Sequence, residues 1–288
     1  MSVLTNLFDG VAYGMLLFVL ASGLAVTMGL MNFVNLAHGA FAMVGGYACV
    51  IVVNRLGLPF FAALPLAFAA AALIGVVLEQ LLYRHLYGRS HLDQVLFTIG
   101  LTFMAVTATD YLMGSQQVFV QIPDYLRSQI DVFGIGVGRY RLMIIVICGL
   151  LTVCLQLILS RTRFGSRLRA AVDDPRAATG LGINVGQVFA LTFAFGSGLA
   201  GLGGALGAEI LGLDPYFPLK FMIYFLIVVS VGGTSTITGP FLASLLLGIA
   251  DVAGKYYVPK LGAFVIYAVM IVILIWRPNG LFGRMATR

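Results

Sequence analysis

Apolar residues recur along this chain in long runs broken by short polar stretches. The runs cover residues 8–29, 34–54, 59–82, 94–114, 140–160, 185–211, 219–232, 237–253 and 261–276. A bilayer core takes about 20 apolar residues per crossing helix, and most of these runs reach that length. The strict apolar–polar alternation of barrel strands is absent. The pattern predicts an all-α, polytopic transmembrane helical bundle. The seventh and eighth runs are shorter, at 14 and 17 residues, and are separated by "VGGTSTITGP", residues 231–240. They read either as two tightly linked spans or as one span with a re-entrant piece, because backbone leaves the helix at membrane depth only where protein or water satisfies it. The expected count is eight or nine.

Composition agrees. The chain has 288 residues, 60% hydrophobic and 10% charged, with mean hydropathy +1.02, against about 25% charged residues in soluble domains. Once the spans are counted no separate soluble domain remains, so residues 1–288 are expected to form one transmembrane domain. The longest polar stretch, Ser115 to Tyr140, reads as a loop. The formal charge of +6 is a topology signal rather than a nucleic-acid one. With the C-terminus inside, ten basic residues fall on the inner side: Arg84, Arg89, Arg161, Arg163, Arg167, Arg169, Arg176, Arg277, Arg284 and Arg288. Seven fall outside, and five of the inner ten cluster at 161–176. Nine spans then place the N-terminus outside. No Lys or Arg precedes Arg55, so the first run lacks the positive region of a signal peptide. Cys49, Cys148 and Cys154 lie in apolar segments and read as small hydrophobes.

Three polar side chains interrupt the apolar pattern in "MNFVNLAHGAF", residues 31–41. At 100° per residue, Asn32, Asn35 and His38 would share one side of a helix, extended by Gly39, Ala42 and Gly46. Unsatisfied amides in hydrocarbon are costly. The face must therefore meet other helices, line a path, or cap a break between the first two spans. "FGSGLAGLGGALG", residues 195–207, places small residues at helical spacing, which suits close helix packing or a thin wall beside a path.

"SRTRFGSRLRAAVDDPRAATGLGINV", residues 160–185, has an internal design. Thr162 or Ser166 can cap a short helix carrying Arg163, Arg167, Leu168, Ala171 and Val172. Asp173 and Asp174 precede Pro175, a cap followed by a first-turn proline. A second short helix through Arg176 to Thr179 can end at Gly180 and Gly182. Two capped, charged helices form a rigid elbow, which reads as a docking surface for a cytoplasmic partner or as a solvated topology signal. In "GGTSTITGP", Gly232, Gly233 and Gly239 permit unusual backbone and Pro240 suits a helix start. The segment reads as a turn, a hinge or a re-entrant loop.

Charges within the spans are few. Glu79, Asp110 and Asp251 lie near span ends, where they can be hydrated, and no central carboxylate suggests proton coupling. There is no GxxxxGK[ST], no HExxH, no GxSxG and no potassium-type filter. The chain is therefore expected to hydrolyse nothing itself and to hold no cofactor or metal.

These segments resemble the permease subunits of branched-chain amino-acid ABC importers, the LivH type. "MNFVNLAHGAFAMVGGY", "FGSRLRAAVDDPRAATGLGINV", "VGGTSTITGPFLASLLLG" and "YYVPKLGAFVIYAVMIVILIWRPNGLFG" match that family's segments in order, over nearly the whole chain. Ala40 stands where the family often has Glu after His-Gly, and Asp173 and Asp174 stand where Asn commonly precedes the proline. The resemblance implies a multi-pass subunit of the bacterial inner membrane with a cytoplasmic C-terminus. It also implies a second related permease, two cytoplasmic ATPase subunits that hold ATP and Mg, and a periplasmic binding protein, with no nucleic acid. The loop 161–183 would couple to an ATPase through Arg163, Gly165, Arg167, Arg169, Asp173, Asp174, Pro175, Arg176 and Gly182. Asn32, Asn35, His38 and Gly39 are candidates for the path, and Gly232, Gly233, Gly239 and Pro240 for a hinge. Branched-chain or related small amino acids are the expected cargo; urea, amides and other small acids are carried within the same family. A self-contained secondary transporter is the reading from another class.

Overall fold

The computed structural model describes residues 3–132, 135–233 and 236–282. Arg284 and Arg288 of the inner charge count lie outside these, as do Thr234 and Ser235 of the glycine-rich segment. In chain order the elements are α1 (Val3–Leu30), α2 (His38–Val50), α3 (Phe60–Leu81), α4 (His91–Met113) and α5 (Asp124–Arg127). A short hairpin follows, β1 (Gln129–Val132) and β2 (Ile135–Gly138). Then come α6 (Arg139–Arg161), α7 (Arg163–Asp173), α8 (Pro175–Gly180), α9 (Val185–Gly207), α10 (Phe217–Gly232), α11 (Thr238–Tyr257) and α12 (Gly262–Trp276). A π-helical turn, Ile51–Arg55, continues α2. Each apolar run therefore carries one helix. By length and apolarity, five described helices suffice to cross a membrane: α1, α3, α4, α6 and α9, with α10 and α12 shorter but apolar.

Burial separates a centre from a rim. The apolar windows of α1 and α9 are 78% and 67% buried, against 17–28% for α3, α4 and α6. The centre is therefore α1, α2 and α9, and the rim presents Leu66, Leu73, Phe103, Met104, Leu150 and Val153 outward. Hydrocarbon exerts no hydrophobic drive between helices, so the centre is held by close backbone approach through small residues. A Cβ added at Gly204 of α9 would overlap the carbonyl oxygen of Ala42 in α2, and one at Gly45 of α2 would overlap Gly201 of α9. The small-residue stripe at 195–207 is packing surface.

Two expectations change here. The polar stretch 115–140 is not only a loop: it contains α5 and the β1–β2 hairpin, with Gln129 opposite Gly138. Asn54 straps this stretch down, donating to Phe119 O and accepting from Gln121 N, both at 2.9 Å. Cys154 is exposed on the rim, unlike buried Cys49 and Cys148.

Candidate functional site

The elbow forms as its caps dictate. Thr162 Oγ1 accepts from Gly165 N at 3.3 Å and starts α7. Asp174 Oδ1 accepts from Arg176 N at 2.9 Å and Ala177 N at 3.0 Å and starts α8, with Pro175 in its first turn. These contacts satisfy amides that have no intrahelical partner. Gly182 ends the elbow at φ +79°. Helix α7 buries Gly165, Leu168 and Ala171 and exposes Arg163, Arg167 and Asp173. Arg169 is different: its guanidinium donates to Leu159 O at the end of α6. Among the described residues Arg163, Arg167 and Arg176 form no ion pair. Beside Arg167 lies a groove of about 460 Å³ lined also by Phe164, Gly182 and Leu181, which is 81% exposed.

The segment 31–37 corrects the expected helical face, because it is not helical. Asn32 has φ +49° and is exposed, and α2 begins only at His38. The chain instead passes beside α4 without helical hydrogen bonding, and polar side chains of α4 replace the missing helical partners. Val34 N donates to Gln94 Oε1 at 3.1 Å and Leu36 N to Thr98 Oγ1 at 3.2 Å. Asn35 is buried, and its Oδ1 accepts from Ala37 N at 3.1 Å and from the Tyr83 hydroxyl at 3.2 Å. His38 is buried too, with Nε2 2.8 Å from Leu20 O. Its ring occupies space left by Gly23, where a Cβ would lie 2.6 Å from His38 Cε1. Gly39 packs on Pro218, whose Cα would lie 2.8 Å from an added Cβ. Asn35→Leu strands the Tyr83 hydroxyl and the Ala37 amide, at about 1–3 kcal/mol each. Thermal unfolding in detergent should show a clear fall in Tm; an unchanged Tm would refute this bracing role.

Gly232 ends α10, Gly233 follows it, and Gly239 and Pro240 lie in the first turn of α11. Gly233 caps α10 at φ +83°. A Cβ on Gly232 would collide with Pro240, and Leu281 N from the C-terminal segment donates to Val231 O at 2.7 Å. The α10–α11 turn meets the elbow. A cavity of about 330 Å³ is lined by Gly165 and Arg169 from α7, Thr236 to Thr238 from the turn, and Leu30 from the end of α1. Gly165 and Arg169 of the elbow thus share a cavity with Thr236 to Thr238, while Gly232, Gly233, Gly239 and Pro240 do not line it, and Asn32, Asn35, His38 and Gly39 line neither this cavity nor the larger one at the opposite end.

That larger cavity, about 570 Å³, lies among the start of α1, the start of α6, the 210–224 region and the end of α11. Its residues include Asp9, Arg141, Lys220, Asp251 and Lys255. Of these, the sequence singled out only Asp251, as a carboxylate near a span end. The others read as ordinary flanking charges until the fold converges them.

Fold and site together define a multi-pass helical membrane protein with a charged elbow at one end and a charged vestibule at the other. The chain belongs to the family described as "Branched-chain amino acid transport system / permease component", which matches residues 6–274. It is 28% identical to the high-affinity branched-chain amino acid transport system permease protein BraD of Pseudomonas aeruginosa, over 98% of this chain and 96% of that one. It is 26% identical to the corresponding LivH of Escherichia coli, with the same coverage. The probable branched-chain amino acid transport permease protein LivH of Methanocaldococcus jannaschii is also 26% identical, over 95% of this chain and 90% of that one. No solved structure matches the chain.

Proposed function

We propose that this chain, as a single permease unit, is one of two permease subunits of an ATP-driven importer. It carries branched-chain or related small amino acids across the bacterial inner membrane. Eight or nine helices cross, with the C-terminus and elbow inside; nine would put the N-terminus outside. A second, related permease completes the path. Two ATPase subunits, which hold ATP and Mg, dock below, and a periplasmic binding protein delivers cargo above. The likeness to BraD and LivH supports the cargo class.

The observation that carries the partner reading is the elbow. Its caps make it rigid, Arg163, Arg167 and Arg176 are exposed and form no ion pair among the described residues, and its buried face sits on α6 and lines one cavity with residues 236–238. Closure of the ATPase pair on ATP would push on α7 and be relayed to α6, α1 and the α10–α11 turn. Coupling requires contacts that differ between nucleotide states. Gly232, Gly233, Gly239 and Pro240 would be the yielding part. Asn32 and Gly39 would flank the path, with Asn35 and His38 as the struts that hold that segment in place.

Arg167→Glu reverses a charge in the docking groove, and Arg–carboxylate or Arg–carbonyl contacts there are worth about 1–3 kcal/mol. Co-purification of the ATPases from native membranes should fall at least several-fold, with uptake falling alongside and the level of this chain in the membrane unchanged. Full uptake by the variant, or recovery of the wild-type chain without P-loop ATPases, would refute the reading.

A further inference from the structure

The vestibule opposite the elbow holds an unmet valence. Asp251 is 1% exposed. Its Oδ2 takes Lys255 Nζ at 2.6 Å, but its Oδ1 is buried and has no hydrogen-bond partner among the described residues. A buried carboxylate oxygen without a donor is costly. The ion pair with Lys255 uses only half of this carboxylate, and the residue lines a cavity of about 570 Å³, a volume typical of small-molecule sites.

The surrounding groups are paired in a way that leaves donors free. Arg141 pairs with Asp9, and Lys220 with Asp214. Arginine has five N–H donors and lysine three, so Arg141 and Lys255 retain capacity after these contacts. Three cations and two carboxylates therefore line one space. A simple anion would face the carboxylates, and a simple cation would face the three positive groups. A molecule carrying both charges on substituents of one carbon meets each with its opposite. The remaining wall is apolar, with Ile210, Leu211, Phe221 and the ring of Tyr224. Tyr13 completes it, with Lys255 Nζ 5.7 Å from its ring centre.

We propose that this vestibule binds a zwitterionic α-amino acid in transit. Its ammonium group is received by Asp251 Oδ1, its carboxylate by Lys255 and Arg141, and its side chain by Phe221 and Tyr224. The inference rests on the amino-acid cargo of the proposed function and adds the site where this subunit holds it. It makes the permease itself selective, in addition to any binding protein.

The test uses the assembled importer in proteoliposomes, with L-leucine and L-alanine as probes and 4-methylpentanoate, which lacks the ammonium group, as competitor. Loss of a charge-assisted contact corresponds to roughly tenfold or more. Asp251→Asn should lower leucine uptake by at least that factor in complexes recovered at wild-type yield. Phe221→Trp, which fills the apolar wall, should lower the leucine-to-alanine uptake ratio, an effect a merely structural role would not produce. In the wild type, 4-methylpentanoate should compete poorly. Wild-type leucine uptake in Asp251→Asn would overturn the site while leaving the importer reading intact. Should Asp251→Asn fail to assemble, an unchanged ratio in Phe221→Trp would overturn it instead. Absence of any amino-acid uptake by the wild-type complex would overturn the cargo reading and the site together.

Discussion

Gly204→Val is expected to abolish accumulation of the folded chain in the membrane. Helices α2 and α9 touch through their backbones here, and a Cβ at Gly204 would sit inside the radius of the Ala42 carbonyl oxygen. Gly45 and Gly201 make the same kind of contact one turn away, so α9 cannot tilt to relieve one clash without tightening the other. Overpacking usually costs about 1–3 kcal/mol where side chains can give way. Neither partner here is a side chain, so two helices must separate along their seam. That contact lies between the most buried elements of the bundle, and total stability is only about 5–15 kcal/mol. Gly204→Ala should already lower the detergent-extracted yield several-fold. Gly100→Ala is the control: Gly100 lies in α4 with nothing within 4 Å of the added Cβ, and replacing a helical glycine by alanine there should be neutral or stabilising by up to about 1 kcal/mol. Equal yields of folded protein for the Gly204 and Gly100 variants, measured by size-exclusion fluorescence, would show that the α2–α9 seam does not depend on backbone contact.

Gly165→Val is expected to leave the bundle folded and remove its activity. A Cβ at Gly165 would overlap the carbonyl oxygen of Leu159. Helix α7 must then lift from the end of α6, and the Arg169 contact to the same carbonyl is lost with it. The elbow lies outside the α1–α2–α9 centre, so thermal stability should change little. ATPase co-purification and leucine uptake should fall by about tenfold or more, because a relay that has left its seat transmits no displacement; a mis-seating of the order of 1 Å is enough for losses of about a hundredfold in positioned systems. Ser166→Ala, one residue on and exposed, should behave as wild type. Full uptake by Gly165→Val would mean that the elbow acts without resting on α6. A large loss of Tm would mean that the bundle itself depends on it.

The elbow was the most legible part of the chain because its signals are local. Thr162 and Asp174 cap helices within three residues of themselves, and Pro175 and Gly182 act on their own backbone angles. The segment 31–37 was less legible for the opposite reason. Its spacing fits a helical face, and an isolated reading of Asn32, Asn35 and His38 cannot see that Gln94 and Thr98, some sixty residues away, accept the amides a helix would have used. Given those acceptors, a non-helical segment beside α4 loses little, and the positive φ of Asn32 becomes tolerable because asparagine is among the few residues that adopt it readily. The vestibule was the least legible. Asp9, Arg141, Lys220, Asp251 and Lys255 are single charges scattered over four helices.

Sequence by itself determined the helical class, the positions of the nine apolar runs, the capped elbow and the family. Each of these is written in hydropathy or in contacts between neighbours in the chain. Tertiary structure alone decided that the polar stretch at 31–37 is a braced break, that the elbow and residues 236–238 share one cavity, and that four charges converge around Asp251, whose Oδ1 has no hydrogen-bond partner among the described residues. Such features depend on which distant side chains complete a hydrogen bond or an ion pair, and inside a bundle that is settled by packing rather than by spacing along the chain.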